Sequence, residues 1–574
     1  MGAGWQRERR SLADDPFELF RAVNAELTGP GGSFELRNRD DPHRKEFAGT
    51  LRNFCAVMDR ARERYSDKVY LTFRDENRTY GEVIGQADRL AAALHHRHGI
   101  EKGDRVGIAM RNRIEWFVAF LALQRLGAIA TLLNSRGAAG ELASTADQVG
   151  CKLVFADAER DELLADTATC TVLGLDDLEA LVADKDVPPH PGFPDLDTDD
   201  PSHIIFTSGT TGRPKAATLT HRNLVAVVRE MELRAEAGLT MAAMQVGQPV
   251  EVLRAAMPPA QPALMISPLF HISGIVGMAS SLTTGSRLIL MRRWNPEEAL
   301  DLIEDNGCGM LSGPSMVFAD LLALPNAGHR MRSMRSCAIA GQATPAKLGA
   351  DLREQVAGMS VASCWGQTEC TGAATTATGA MFAARPDTVG VAIDTIDLKI
   401  VDEQGNELPP GQVGEILMRG STVMQGYWDD DEANAKAFRD GWLCTGDLGW
   451  VDEDGLIFIT DRVKDMVISA GVNIYCAEVE RVLSMMEHQH EVALFGVPDN
   501  RLGERTIAAV VPREGAESLI DEDKVKAHVR ANLADYKVPA EVRFDLGPLP
   551  RNDIGKVDKA RLTERYFERV KISA

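Results

Sequence analysis

Thr207-Ser208-Gly209-Thr210-Thr211-Gly212-Arg213-Pro214-Lys215 gathers glycine amides, hydroxyls and a lysine ammonium into one short stretch. Such a loop can hold a polyphosphate, because amides and hydroxyls donate to its oxygens and a cation offsets its charge. It directly follows an apolar run, Ile204-Ile205-Phe206. It is not a Walker loop, since no Gly-Lys-Ser/Thr stands at the required spacing and no helix-opening pattern follows Lys215. The residue types point to a nucleotide and leave the reaction open.

The elements that position this loop are read from periodicity. From Val69 onward, strand-like apolar runs alternate with helical patterns: a strand over Arg105 to Met110, a helix over Glu115 to Leu126, a strand over Ile129 to Leu133, then strands over Lys152 to Ala156 and His203 to Phe206. The series resumes at Arg287 to Met291, Met310 to Ser312, Ser336 to Ala340 and Ser360 to Trp365. Alternation of this kind builds α/β layers. Asp397 to Met418 and Gly441 to Thr460 read as hairpins, the second turning at Asp452-Glu453-Asp454-Gly455. After Arg462 the texture becomes a small α+β unit, with helices over Glu478 to Met486 and Asp523 to Leu533, strands over Val492 to Val497 and Thr506 to Val511, and a terminal segment ending in a loop. The first fifty residues, charged and turn-rich, are expected to form a loosely docked arm.

A chain of 574 residues, 44% hydrophobic and 26% charged, suits a multidomain enzyme rather than a disordered or fibrous protein. Its net charge of -21 argues against a nucleic-acid partner. Nine cysteines without metal-type spacing predict free thiols in a reducing cytoplasm. Met1 to Arg10 lacks the apolar core of a secretory leader, and Trp116 to Leu133, broken by Gln124 and Arg125, reads as buried rather than membrane-spanning. Transient membrane contact and oligomeric state are left open.

Several further motifs stand in one order along the chain: Pro268-Leu269-Phe270-His271, Trp365-Gly366-Gln367-Thr368-Glu369, Gly414-Glu415 with Arg419-Gly420, Thr445-Gly446-Asp447, Asp461-Arg462-Val463-Lys464-Asp465, Tyr536-Lys537-Val538-Pro539 and Gly555-Lys556. With the loop, they resemble the adenylate-forming superfamily, which contains acyl-CoA synthetases, peptide-synthetase adenylation domains and beetle luciferases. The resemblance covers nearly everything after about residue 50. It implies an α/β fold with a large multi-sheet N-terminal adenylation domain (1–461, including the arm 1–50) and a small mobile α+β C-terminal domain (462–574). It also implies a ligase that uses Mg²⁺, ATP and CoA.

The same resemblance assigns roles. Thr207, Ser208, Gly209, Thr210, Thr211, Gly212 and Lys215 would grip the β- and γ-phosphates. Thr368 would donate to the α-phosphate and Glu369 would hold Mg²⁺. Trp365, where the family more often has tyrosine, would cover the adenine, with Gly341, Gln342 and Ala343 as the adenine-lining turn, Gly366 and Gln367 beside it and Ile459 as an apolar wall. Gln342 departs from the usual glycine. Asp447 suits the two ribose hydroxyls and Arg462 the ribose or phosphate. Lys556, the leading catalytic candidate, would neutralise charge between carboxylate and α-phosphate, then leave as the small domain turns about Lys464. Ser469, Ala470 and Gly471 would line the CoA tunnel. Ala470 and Cys476 depart from the usual glycine and proline.

His271 would act in catalysis as the gate of an acyl pocket lined also by Gly274, Gly277 and Met278. Phe270-His271-Ile272-Ser273-Gly274 offers no acid to bind an α-amino group, which disfavours an amino-acid substrate. Methionines in the long segment Glu230 to Pro262, Met241 and Met244 with Leu253, are candidates for a channel wall or for ordinary helix packing. The expectation is a fatty or other bulky apolar acid, with an aryl acid next. Loading of a carrier protein, a nucleotide-binding regulator that lost catalysis, and a kinase are the competing readings. The kinase fails on motif spacing.

Overall fold

Short apolar runs separated by helices become two mainly parallel sheets. The computed structural model describes residues 15–38, 45–207, 214–340, 346–463, 465–469, 472–552 and 555–573. In the seven-stranded sheet, Thr171–Leu173, Leu153–Ala156, Arg105–Ala109, Ile129–Leu132 and Pro201–Thr207 run parallel, and Lys215–Thr220 and Gly426–Tyr427 extend it antiparallel. The nine-stranded sheet has a parallel centre from Ser360–Trp365 to Val69–Phe73 and antiparallel edges.

The helix Ile114–Leu126 has Trp116, Phe117 and Phe120 fully buried. A helix apolar on every side must lie inside the protein. Its polar interruptions are paired: Gln124 donates to the Ser202 carbonyl at 3.1 Å, and Arg125 meets Asp59 at 2.6 Å and Asp88 at 2.8 Å. The reading of this stretch as buried rather than membrane-spanning agrees with the structure. Among the described residues no helix is long and apolar enough to cross a membrane.

A third, antiparallel sheet contains both expected hairpins. Ile396–Val401 pairs with Gly414–Gly420, and Trp442–Val451 with Ile457–Arg462. The second turn closes where the Asp452 amide donates to the Leu456 carbonyl at 3.0 Å, and Gly455 supplies φ +76°. This sheet ends at Arg462, and the small unit's sheet begins with Val467–Ser469. That sheet also holds Val472–Ile474, Gln489–Asp499, Gly503–Pro512 and Glu541–Arg543.

Two expectations need correction. The chain does not end in a loop: Lys559–Ser573 is a helix, and Leu562 and Tyr566, one turn apart, are buried with Phe495 and Ile507. Nor is the described part of the N-terminal arm loosely docked. Asp15 caps the helix Pro16–Thr28 by accepting from the Phe17 amide at 2.8 Å. This helix buries Phe17, Leu19, Phe20 and Val23 against Ala237, Met381, Leu456 and Phe458. Burying such side chains is worth roughly 1.5–3 kcal/mol each, enough to fix a short helix in place. Met241 and Met244 pack on the same cluster, so they seat the N-terminal helix rather than line an acyl channel.

Candidate active site

The expected phosphate loop stands on a paired stem. Lys215 lies opposite Thr207 in the antiparallel ladder, so the strands Pro201–Thr207 and Lys215–Thr220 hold the two ends of the loop together. Ser208, Gly209, Thr210, Thr211 and Gly212 lie outside the described residues. The second strand runs directly into the helix His221–Val246, capped by Thr220, which accepts from the Asn223 amide, while Asn223 Oδ1 accepts from the Thr220 amide at 2.8 Å.

Tyr427 ties this stem to the Gly-Gln-Thr-Glu motif. Its hydroxyl donates to Glu369 Oε1 at 2.9 Å, and the Lys215 ammonium stands 5.0 Å from its ring centre. Thr207 also hydrogen-bonds to it, and burial with Glu369 alongside drives the phenol's proton affinity upward. Tyr427 therefore remains a donor to the carboxylate. No local signal could have marked it, since it lies 58 residues from Glu369 and meets it only through strand pairing.

Thr368 and Glu369 are buried in a single 3-10 turn, Thr368–Cys370. The Met424 amide donates to the Glu369 carbonyl at 2.8 Å, and Thr371, at φ +59°, donates its hydroxyl to the Thr422 carbonyl at 2.6 Å. Gly366 is obligatory here, because a Cβ would lie 1.9 Å from the Gly372 carbonyl oxygen. The Gln367 amide nitrogen Nε2 is buried with no hydrogen-bond partner among the described residues. Mg²⁺ takes oxygen ligands and commonly accepts one or two carboxylates, completing its shell with waters and phosphate oxygens. A buried carboxylate with only one oxygen bonded, to Tyr427, among the described residues fits that donor set.

Asp447 is buried at 3% exposure, and each of its oxygens is engaged. Trp365 Nε1 donates to Oδ2 at 2.9 Å, and Arg462 Nε meets Oδ1 at 2.9 Å from the neighbouring strand. The Gly414-Glu415 motif supports this turn: Glu415 Oε1 accepts from the Gly446 amide at 3.1 Å, and the Thr445 hydroxyl donates to the Ile416 carbonyl at 2.8 Å. Ile459 and Trp365 pack, half-buried, on one small apolar cluster around Ile416. Gly341, Gln342 and Ala343 lie outside the described residues.

His271 caps the helix Ile272–Thr284. Its Nδ1 accepts from the Ser273 amide at 3.3 Å and stands 2.8 Å from the Ser273 hydroxyl, which leaves the proton on Nε2. Burial first, then the Lys556 ammonium and Arg136, push its pKa down to about 4. The small unit's Lys556 is thus brought to the large unit's His271. The flanking residues bond to one another: the Lys556 amide donates to Asn552 Oδ1 at 3.0 Å, the Asn552 amide to the Lys556 carbonyl at 2.8 Å, and Arg551 to the Gly555 carbonyl at 2.7 Å.

The expected acyl-pocket residues divide. A Cβ on Gly274 would lie 2.6 Å from the Pro268 carbonyl oxygen, so this glycine serves close packing of helix on loop. Met278 has no exposed surface and belongs to the main core, which corrects the expectation that it lines open space. Gly277 faces Met265, whose Cε would be 2.4 Å from an added Cβ, and Gly372 faces Val276 at 2.9 Å. Ser469 pairs with Val472 and Gly503 inside the small unit, with Ile468 and Val472 exposed beside it. Lys464, Ala470 and Gly471 lie outside the described residues.

The structure also shows a basic cluster that no run in the sequence announces. Glu159 Oε2 is shared by Arg160 at 2.9 Å, Arg292 at 3.4 Å and Arg293 at 3.5 Å. Arg160 also meets Asp157 at 2.8 Å, and the amide of Arg111 donates to Asp157 at 3.0 Å. Burial, then Arg160, Arg136 and Arg293, push the Arg111 guanidinium down to about 10.

The paired stem at Thr207 and Lys215, the buried carboxylates Glu369 and Asp447, and Lys556 with its charge felt at His271 are the groups that the comparisons with known proteins bear on. The family description "AMP-binding enzyme" matches residues 58–428, and "AMP-binding enzyme C-terminal domain" matches residues 478–556. A feruloyl-CoA synthase of Amycolatopsis sp is 32% identical over 495 residues, covering 85% of this chain and 94% of its own. A long-chain-fatty-acid–CoA ligase of Bacillus subtilis (strain 168) is 29% identical over 574 residues, covering 92% and 97%. ATP-bound MatB from Rhodopseudomonas palustris superposes with a TM-score of 0.77 at 29% identity, covering 89% of this chain and 98% of that one. The chain belongs to the AMP-binding enzyme family and is an adenylate-forming enzyme of the acyl-CoA synthetase type.

Proposed function

We propose that this enzyme activates a fatty or other bulky apolar carboxylic acid as its acyl-adenylate and passes the acyl group to CoA. In the first step a carboxylate oxygen attacks the α-phosphorus of ATP and pyrophosphate leaves. In the second, the thiol attacks the acyl carbon and AMP leaves. Two anions must meet in the first step, so donors and cations fixed beforehand lower the barrier. The observation that supports this reading is that the Lys556 ammonium acts electrostatically on His271 across a sequence gap, with Gly555 close to Met316.

Lys215 and Thr207, with the loop between them, are assigned to the β- and γ-phosphates, Thr368 to the α-phosphate and Asp447 to the ribose. Glu369 would hold Mg²⁺, which bridges and neutralises phosphate oxygens when bound. His271, neutral with its proton on Nε2, can donate toward the carboxylate without adding a competing charge. The arginines around Glu159 support CoA as the acceptor, because guanidinium groups in excess of carboxylates suit a phosphorylated thiol.

Phe270-His271-Ile272-Ser273-Gly274 carries no acid to pair with an α-amino group, which supports an apolar acid without one. Similarity to a feruloyl-CoA synthase favours an aryl acid as the second reading. Withdrawal of Lys556 for the second step, with the acyl-adenylate still bound, is assigned to rotation near Lys464, and Ser469 moves toward the thiol path. The nine free thiols support a cytoplasmic setting. The test is carboxylate-dependent ATP–pyrophosphate exchange over aliphatic acids of graded length beside aryl acids, followed by AMP release with CoA or with a carrier protein. Exchange with one acid class and AMP release driven by CoA support the proposal. Release driven only by a carrier protein contradicts the acceptor, and exchange absent across the panel contradicts the reaction.

A further inference from the structure

We propose that Trp365 is a positioning residue for nucleotide binding: its indole N–H holds one oxygen of Asp447 and turns the other toward the ribose. The inference rests on the reading of Asp447 as the ribose carboxylate. Trp365 Nε1 donates to Oδ2 at 2.9 Å, while Arg462 Nε takes Oδ1 at 2.9 Å. The two partners differ in kind. Trp365 is half-buried on apolar clusters at the end of the strand Ser360–Trp365, so its ring is held by packing. Arg462 is 43% exposed on a long side chain, close to the junction between the two units.

An indole nitrogen only donates, so it cannot exchange roles with a ribose hydroxyl. A guanidinium in solvent can yield its place to one. The Asp447 backbone is held as well, its amide donating to the Thr445 hydroxyl at 3.0 Å. Nucleotide binding then replaces the Arg462 contact on Oδ1 by ribose hydroxyls, and Oδ2 stays on Trp365. The tryptophan therefore does more than cover an adenine face. It sets the orientation of a carboxylate that two hydroxyls must meet at once, and a donor to an ionised acceptor is among the stronger hydrogen bonds.

Trp365→Phe keeps an aromatic plane and removes the donor. The measurement is KM for ATP, 2′-deoxy-ATP and 3′-deoxy-ATP in the exchange assay. Wild type is expected to prefer ATP. In Trp365→Phe, KM for ATP is expected to rise roughly tenfold, as for loss of one hydrogen bond to a charged group. KM for the deoxy nucleotides, which keep only one of the two hydroxyls, should rise less, so the preference for ATP narrows. Equal losses for all three nucleotides, or an unchanged preference, would overturn the proposal. A wild type that does not discriminate at all would overturn the ribose reading itself, and the proposal with it. Should the variant fold poorly, the indole ¹⁵N–¹H resonance of Trp365 in wild type bound to AMP decides. A proton protected from solvent exchange supports the proposal, and rapid exchange contradicts it.

Discussion

Lys556 and His271 lie 285 positions apart in the chain, yet the lysine ammonium is near enough to the imidazole to help hold it neutral. They belong to different units. A Cβ placed on Gly555 would come within 3.8 Å of Met316 Cε, so the lysine loop rests against the large unit. Under the proposed function this arrangement serves the first step, and an arrangement that brings Ser469 toward the thiol would require the contact to break.

Two buried histidines, His203 and His221, and the half-buried His271 make stability fall with acid. Burial pushes His203 to about 3, and His221 and His271 to about 4, whereas an unfolded histidine titrates near 6.5. Between about pH 6.5 and 4 the unfolded chain binds protons that the native state refuses, so stability decreases as pH falls. Glu230 and Asp461, whose carboxyls burial pushes up to about 7 and about 6, act in the opposite direction. The readout is accordingly a difference: the fall in Tm between pH 7 and pH 5 should be smaller in His203→Asn than in wild type. An equal fall would contradict the assignment.

Removing the Tyr427 hydroxyl should loosen Glu369. Tyr427→Phe keeps the ring and deletes the donor to Oε1. Loss of an orienting partner behind a metal ligand costs about 10–100-fold in metal affinity or activity. The magnesium concentration giving half-maximal exchange should rise at saturating acid, with Tm little changed. An unaltered magnesium dependence would count against the metal role of Glu369.

Gly366→Ala should damage fold and site together. The new Cβ would sit 1.9 Å from the Gly372 carbonyl oxygen, and neither backbone can yield without shifting the turn that carries Thr368 and Glu369. Destabilisation of about 1–3 kcal/mol follows from overpacking of this kind, read as a lower midpoint in denaturant. Exchange activity should be lost at temperatures where the variant is still folded. A variant as stable and active as wild type would show that the turn is not so constrained.

What could be read in advance was local. The strands Arg105–Ala109, Ser336–Ala340 and Ser360–Trp365 and both hairpins are visible as runs and turns, because each depends on its own side chains. The terminal helix Lys559–Ser573 was missed although Leu562 and Tyr566 stand one turn apart. Its strongly polar surroundings hide a narrow apolar face. The N-terminal helix hides likewise behind charged flanks. Tyr427 and the arginines around Glu159 depend on pairings between distant segments, which no spacing in the chain encodes. The Trp365–Asp447 bond is of the same kind, 82 residues apart.

The most direct test of the account separates its two half-reactions in one variant. Lys556→Ala should reduce acyl-adenylate formation, measured as ATP–pyrophosphate exchange, by a factor on the order of 10²–10³, as for removal of a charge-stabilising group from an active site. Thioester formation from supplied acyl-adenylate and CoA should proceed near the wild-type rate, whereas Lys464→Pro should show the converse pattern. Equal loss of both steps in Lys556→Ala, or exchange as fast as wild type, would contradict the claim that this lysine comes in for the first step and leaves for the second.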